Sequence, residues 1–188
     1  MAMAKIRPKR WSRAEYDRMI EASIFAPGDH VELVEGEIVT MTPQNGPHAM
    51  AVRLAQRALD AAFGPGFDVR SQLPLALSCE SEPEPDVAVV AGSPRDYPGH
   101  PTTALLVVEV ADTSLSYDRK TKGPLYASAG ITDYWIVNVV DRIVEVYREP
   151  VETSAGWAYR LISRHGAGDT VSPLACPGAA ITVADLLP

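Results

Sequence analysis

The sequence predicts an α/β fold in which helices flank one central mixed β-sheet. Two short valine-rich runs, residues 85–91 and 104–111, have the length and composition of buried strands. A helical pattern begins after Asn45 and stops at Gly64. Strands that alternate with helices in this way are typical of a sheet covered on its faces by helices.

The bulk composition is that of a globular protein. The chain has 188 residues, of which 46% are hydrophobic, so we expect one domain over residues 1–188. We expect residues 1–10 to be a loose basic arm and residues 151–188 to extend the sheet. No apolar run is long enough to span a membrane, and no signal peptide is evident. Cys79 and Cys176 fit free thiols, which favours a cytoplasmic protein, and a disulfide between them is the weaker alternative.

The charge balance bears on nucleic-acid binding. The formal net charge is −7, whereas a strong non-specific grip on DNA is mostly electrostatic and needs positive charge. Bound cations would neutralise part of the acidic excess, and a local basic patch can still contact phosphates. The net charge therefore argues against a general DNA-coating protein but not against a nuclease.

The first half of the chain carries clear element boundaries. Ser12 and Glu15 have the spacing of a capping box, which predicts a short helix through about Glu21. Residues 31–41, with glycine at their middle, predict a hairpin of two short strands. Asn45-Gly46-Pro47 predicts the start of a helix that runs to Phe63.

The second half predicts most of the sheet. Residues 67–77 alternate in part as a strand does, and residues 104–111 are hydrophobic enough for a central strand. A short helix is expected over residues 121–129, because Pro124 is tolerated only in a first turn. Further strands are expected at residues 134–139, 143–148, 157–162 and 180–183, the last two at edges of the same sheet.

Two carboxylates interrupt the buried strands. Asp86 opens one apolar run and Glu109 interrupts the next. A buried carboxylate is costly unless something compensates its charge, and two on neighbouring strands make a ready site for Mg²⁺. The alternative is a buried salt bridge, for example between Glu109 and an arginine. From spacing alone, both interpretations stay open.

A lysine follows the second carboxylate. Lys122 lies one connection after the Glu109 strand, where it could lower the pKa of a water or stabilise charge on a phosphate. Alternatively, it is a solvated lysine in a basic cluster with Arg119 and Lys120. For a lysine taken alone, the solvated interpretation is the commoner one.

Three further side chains are weaker candidates. Glu37 could add a third carboxylate, although hairpin glutamates are more often exposed. His48, near the start of a helix, could bind phosphate or assist proton transfer, or be a core residue. Gln72 could point at the same site. Nucleotide-binding glycine loops, a serine nucleophile elbow and zinc-protease motifs are absent from the sequence.

Together these segments resemble a known family, the Uma-two family of restriction-endonuclease-like proteins in the PD-(D/E)xK nuclease superfamily. The matching segments are residues 32–39 (ELVEGEIV), His48, residues 84–87 (EPDV), 107–110 (VVEV), 117–119 (YDR), Lys122, 125–127 (LYA), 129–130 (AG) and 134–137 (YWIV). Individually they are short, but their order and spacing over roughly residues 12–150 are specific.

The resemblance implies a restriction-endonuclease-like core and assigns roles. Asp86, Glu109 and the backbone carbonyl of Val110 would hold the metal, with Glu37 as an extra acid and His48 near the substrate. In the superfamily pattern a lysine follows the second acid by two residues, whereas that position is Ala111 here. Lys122, in the following helix, would then take the role of that lysine.

The hypothesis is a cytoplasmic DNA endonuclease that uses Mg²⁺, with Mn²⁺ as a substitute. Arg119 and Lys120, with His48 and Gln72, would contact the substrate. A homodimer is expected because two strands are cut, and an unknown partner could supply specificity. A non-catalytic protein that keeps the fold to bind nucleic acid or protein is the first rival. A metal-dependent hydrolase of nucleotides or other phosphate esters is the second.

Overall fold

The structure is a computed structural model that describes residues 7–41 and 43–188. Its helices are α1 (Arg13–Glu21), α2 (Gly46–Phe63), α3 (Leu115–Tyr117) and α4 (Gly123–Ser128). Its strands are β1 (Val31–Val34), β2 (Glu37–Thr40), β3 (Phe67–Ser71), β4 (Val87–Ala91), β5 (Leu106–Ala111), β6 (Asp133–Asn138), β7 (Ile143–Thr153), β8 (Gly156–Gly166), β9 (Thr170–Val171) and β10 (Ile181–Thr182).

The centre of the fold is a six-stranded mixed sheet in the order β3-β4-β5-β6-β7-β8. Strands β5 and β6 are parallel, and every other neighbouring pair in this sheet is antiparallel. The connection between the parallel pair carries α3 and α4, as a parallel crossover requires. The α/β prediction with a central mixed sheet is confirmed, and residues 104–111 do supply a central strand.

Helix α2 covers one face of this sheet. Asn45 caps it by accepting a hydrogen bond from the His48 N–H at 3.0 Å, and Gly64 ends it with a φ of 66°. The apolar stripe of the helix packs on valines of β4 and β5 because those strands alternate inward and outward. The buried members of the stripe are Ala51, Val52, Ala55, Leu59 and Phe63.

A group of four tyrosines lies on the opposite face. Tyr126 of α4 meets Tyr134 of β6 with ring centroids 5.1 Å apart, and Tyr147 and Tyr159 complete the group. The Tyr134 hydroxyl donates to the Asp118 carbonyl at 3.1 Å, and the Tyr159 hydroxyl donates to the Ile131 carbonyl at 2.8 Å. These contacts hold the β5–β6 connection against the sheet.

The N-terminal helix and hairpin also match their predictions. Ser12 and Glu15 form the expected capping box, and the Tyr16 hydroxyl donates to the Val31 carbonyl at 2.8 Å. Of the predicted basic arm, residues 1–6 lie outside the described residues, whereas residues 7–10 have no regular secondary structure. The extent of the domain stays a prediction.

Two strand predictions are wrong in part. The strand expected over residues 67–77 stops at Ser71, because Gln72 adopts a φ of 53° and Pro74 has no N–H to donate to a ladder. At the C-terminus β8 does form an edge of the main sheet. Strand β10, however, pairs with β9 in a separate two-stranded sheet.

The helix predicted over residues 121–129 begins earlier. Helical backbone starts at Leu115 and passes through a π-helical turn, Asp118–Lys122, before α4. Pro124 lies in the first turn of α4, but the helical backbone before it is continuous, so the expectation that this proline prevents an earlier start is wrong. Within the described ranges, no helix has both the length and the apolar character needed to cross a membrane.

Candidate active site

A cavity of about 600 Å³ opens where β4 begins and β5 ends. Its walls are strongly acidic, and residues from α2, β5 and the helical connection between β5 and β6 contribute to them. The ionisable side chains among its lining residues include His48, Glu84, Asp86, Glu109, Asp118 and Lys122.

Asp86 and Glu109 meet at the end of the β4–β5 pairing. The last paired residues are Val87 and Val108, so the next step of the antiparallel register sets the two carboxylates across from each other. The Asp86 N–H donates to Glu109 Oε2 at 3.3 Å, and the Val110 N–H donates to Asp86 Oδ2 at 2.8 Å. The expected juxtaposition on neighbouring strands is therefore present.

Lys122 reaches the same place from the β5–β6 connection. Its Nζ is 3.0 Å from Glu109 Oε1 and 3.3 Å from Glu32 Oε2. Only 1% of the lysine, 1% of Glu32 and 3% of Glu109 is exposed. The predicted buried salt bridge and the predicted acidic site are thus one and the same cluster, with lysine instead of arginine as the partner.

Burial and charge oppose each other in this cluster. Burial raises the pKa of Glu109 well above its ordinary value, and the neighbouring lysine only partly offsets that rise. Burial alone would lower the pKa of Lys122, but the charges of Glu109 and Glu32 outweigh it and raise that pKa. The lysine is therefore held in its charged form.

The π-helical turn brings both Asp118 and Lys122 to the cavity. Ser114 donates its hydroxyl to Asp118 Oδ2 at 2.5 Å, and the Tyr126 hydroxyl donates to Glu109 Oε1 at 2.6 Å. Burial raises the pKa of Asp118, against the effect of that serine. Such turns occur often at functional sites, where they redirect side chains that a regular helix would place elsewhere.

His48 stands on the α2 side of the cavity. Its Nε2 is 3.3 Å from Asp86 Oδ2, and its Nδ1 is buried without a hydrogen-bond partner. Burial alone would lower the pKa of His48, but Asp86 and the backbone of Val110 outweigh it, so the pKa is raised. Among the weaker candidates, His48 and Gln72 do line the cavity.

The carboxylate of the hairpin is Glu32 and not Glu37. Glu37 is exposed at the start of β2. Glu32 is buried on β1, where Oε2 accepts the Glu84 N–H at 3.0 Å and Oε1 has no partner. A glutamate inside the short apolar strand VELV was the available signal, of the same kind that identified Glu109.

Neither predicted basic phosphate contact lies at the cavity. Arg119 forms a two-bond ion pair with Glu145 on β7, one bond of which is Nε to Oε2 at 2.9 Å. Lys120 is exposed and is not among the lining residues. The turn points these side chains away from the cavity because it brings Asp118 and Lys122 towards it.

The cavity has an excess of negative charge. Glu84, Asp86, Glu109 and Asp118 face a single lysine, and burial also raises the pKa of Glu84. No three His, Cys, Asp or Glu side chains converge on one point in residues 7–41 and 43–188. Carboxylate and carbonyl oxygens nonetheless suit Mg²⁺, which takes one or two carboxylates and keeps several waters. The donor set therefore fits a hard divalent cation.

Comparison with known proteins agrees with this architecture. The model of the Uma2 family, described as "Putative restriction endonuclease", matches residues 13–184. A solved structure described as a "putative nuclease belonging to DUF820 from Anabaena variabilis ATCC 29413" superposes with a TM-score of 0.71. The two chains are 14% identical, and the match covers 93% of this chain and 96% of the other. No curated protein matched the sequence.

Proposed function

Because this chain belongs to the Uma2 family, we propose that it is a divalent-metal-dependent endonuclease that hydrolyses phosphodiester bonds in DNA. One observation carries the proposal. The carboxylates of Asp86 and Glu109 lie across from each other at a cavity, with a buried lysine 3.0 Å from the second. Paired acids with a nearby cation are suited to phosphoryl chemistry.

In the proposed site, Asp86, Glu109 and the Val110 carbonyl hold the cation. When bound, the cation would neutralise charge on the phosphate and would lower the pKa of a water molecule. Lys122 is a positioning residue, since its ammonium group fixes one oxygen of Glu109. His48 lies against Asp86, and Gln72 lines the opening, where its amide is available to a phosphate or sugar oxygen.

A cleavage assay tests the proposal directly. Supercoiled plasmid is incubated with wild type, Asp86→Asn, Glu109→Gln and Lys122→Met in Mg²⁺ or Mn²⁺. Nicking should require metal and be lost in all three variants, whereas Glu37→Gln should cleave like wild type, since Glu37 is exposed on β2. Nicking that survives equally in the three variants would indicate a contaminating nuclease and overturn the proposal.

One observation favours a second candidate, a non-catalytic binding protein of the same fold. Lys122 is enclosed between two carboxylates and 1% exposed, so it has little freedom to meet a substrate. This candidate is favoured if wild type binds DNA, as measured by fluorescence anisotropy, but does not cut plasmid, nucleotides or small phosphate esters.

The first proposal, the endonuclease, also includes three expectations from the sequence. The protein forms a homodimer, a further partner supplies specificity, and the protein acts in the cytoplasm.

A further inference from the structure

Strand β8 forms one edge of the six-stranded sheet. It is 11 residues long and pairs with β7 in a single register from Gly156 to Gly166, so no bulge interrupts it. Within the described residues, no backbone hydrogen bond outside that ladder involves residues 157–165. The outer side of β8 therefore presents a row of backbone donors and acceptors that another strand could satisfy.

The usual protections of a sheet edge are missing from β8. Natural edge strands are short or bulged, or they carry lysine or proline, and each of these features discourages pairing with another chain. Residues 156–166 (GWAYRLISRHG) contain neither lysine nor proline. The opposite edge, β3, has only five residues and stops where Gln72 adopts a φ of 53°. Of the two edges, β8 is the one suited to pairing.

Large apolar side chains are exposed along the same strand. Trp157, Leu161 and Ile162 all reach solvent. Because Leu161 and Ile162 are adjacent, they lie on opposite faces of the sheet. A strand added to this edge would therefore gain apolar contacts on both faces.

The two arginines of β8 are already paired within the chain. Arg160 Nη2 lies 2.6 Å from Glu149 Oε2, and Arg164 Nε lies 3.4 Å from Glu145 Oε1. Each positive charge on the strand thus has a carboxylate of β7 beside it. Charge on β8 opposes pairing only where one arginine directly faces another.

We propose that two copies of this chain pair edge to edge, β8 against β8 in antiparallel orientation, so that six strands from each copy form one continuous sheet. A two-fold axis perpendicular to the sheet keeps every residue on its own face, so it must pass beside one residue and its copy. An axis at Leu161, the middle residue of β8, pairs the whole strand. An axis one residue away in either direction sets arginine against arginine, Arg160 against Arg160 or Arg164.

This pairing keeps the two cavities apart. Strand β5, which ends at the cavity, is three strands from β8, so seven inter-strand steps separate the β5 strands of the two copies. At about 4.8 Å for each step, the separation is about 34 Å. The axis also reverses the strand direction, so the cavities open at opposite ends of the joint sheet. The inference therefore does not rest on the nuclease activity, and each cavity should act independently.

Sedimentation velocity of the full-length protein over about 1–100 µM tests the proposal. We expect wild type to pass from a 20.3 kDa monomer to a dimer within this range. Leu161→Lys and Leu161→Glu should each raise the dimer dissociation constant at least about tenfold, because like charges would face each other across the axis. The matched control is Leu174→Lys, because Leu174 is 47% exposed, against 49% for Leu161, but lies outside β8. A monomeric wild type, or equal effects of Leu161→Lys and the control, would overturn the proposal.

An equimolar mixture of Leu161→Lys and Leu161→Glu tests the position of the axis. If residue 161 faces its own copy, the mixture brings opposite charges together and should recover most of the dimer that each variant loses alone. Recovery also shows that both variants are folded. Circular dichroism of each variant establishes its fold beforehand, and folded variants that stay monomeric in the mixture would overturn the axis at Leu161.

Hydrogen–deuterium exchange on wild type needs no variant. The amides of residues 157–165 should exchange more slowly at high than at low protein concentration, whereas those of β3 should not change. Concentration-dependent protection at β3 and not at β8 would overturn the proposal.

The outcomes for the dimer and for the nuclease are distinguishable. A dimer through β8 that does not nick plasmid keeps this inference and overturns the nuclease. Metal-dependent nicking by a wild type that stays monomeric keeps the nuclease and overturns this inference.

Discussion

Lys122 Nζ lies 3.0 Å from Glu109 Oε1, and both side chains are almost completely removed from solvent. A buried ion pair gains little net stability because desolvation opposes the attraction, but loss of one member leaves an uncompensated charge. This pair therefore makes the stability of the fold depend on the same residues that the proposed chemistry uses.

Lys122→Met should be strongly destabilising. It leaves Glu109 and Glu32 facing each other without a cation, so we expect a loss of about 3–5 kcal/mol in the free energy of unfolding. Urea denaturation followed by circular dichroism measures it. Lys120→Met, at an exposed position two residues away, should change that free energy by less than about 0.5 kcal/mol. Equal effects of the two substitutions would contradict the burial of Lys122.

Glu32→Gln should weaken both stability and cleavage. The amide removes one of the two charges that hold Lys122, and we expect a loss of about 2 kcal/mol, typical of a hydrogen bond to a charged group. Glu37→Gln, in the same hairpin but exposed, is the matched control and should be neutral. If Glu37→Gln were the damaging substitution, the assignment of Glu32 to the cluster would be wrong.

Arg119→Ala should reduce stability in a pH-dependent way. Arg119 fastens the π-helical turn to Glu145, whose carboxylate is fully buried, and we expect a loss of about 1–2 kcal/mol at pH 7. Although burial raises the pKa of Glu145, its bonds to Arg119 and Tyr147 outweigh that effect and lower it.

A lowered pKa fixes the sign of this pH dependence. The stabilisation is complete above the unfolded pKa of about 4.3 and is lost as pH falls through the lower folded value. The difference between wild type and Arg119→Ala should therefore be constant near neutral pH and shrink in acid. Denaturation curves at several pH values measure it, and a difference that grew in acid would refute the pairing.

Gly36→Ala should cost more than Gly28→Ala. Both glycines have a positive φ, of 77° and 96° respectively, so both substitutions strain the backbone. A Cβ at position 36 would lie 2.7 Å from Arg10 Cβ, whereas at position 28 it meets nothing within 4 Å. We expect a further loss of about 1–2 kcal/mol at position 36. Equal melting temperatures for the two variants would contradict this expectation, because they would show that the segment around Arg10 moves aside without cost.

The sequence predicted those features that depend on local patterns. Asp86 and Glu109 stand out because one carboxylate opens an apolar run and the other interrupts one, and α2 stands out because its cap and its terminal glycine are both explicit. The prediction of Glu37 as the hairpin carboxylate is wrong because both Glu32 and Glu37 are glutamates in short apolar strands, and only the packing of β1 against the helical connection separates them.

The π-helical turn and the Arg119–Glu145 pair were beyond local reasoning. Both depend on how the β5–β6 connection packs over β7. Arg119 and Glu145, for example, are 26 residues apart in the sequence. The end of β3 was also only partly predictable from local sequence patterns. Pro74 was visible in the sequence, but the left-handed backbone of Gln72 was not.

The order of the strands also has a consequence for how the protein folds. Strands β6, β7 and β8 form an antiparallel meander with short turns, whereas the acidic cluster joins Glu32 and Asp86, which are distant in the chain, to the segment that carries Glu109 and Lys122. Local pairings close faster than distant ones because they lose less chain entropy. We therefore expect the meander to form early, and the acidic cluster to assemble late on a sheet already able to exclude water from it.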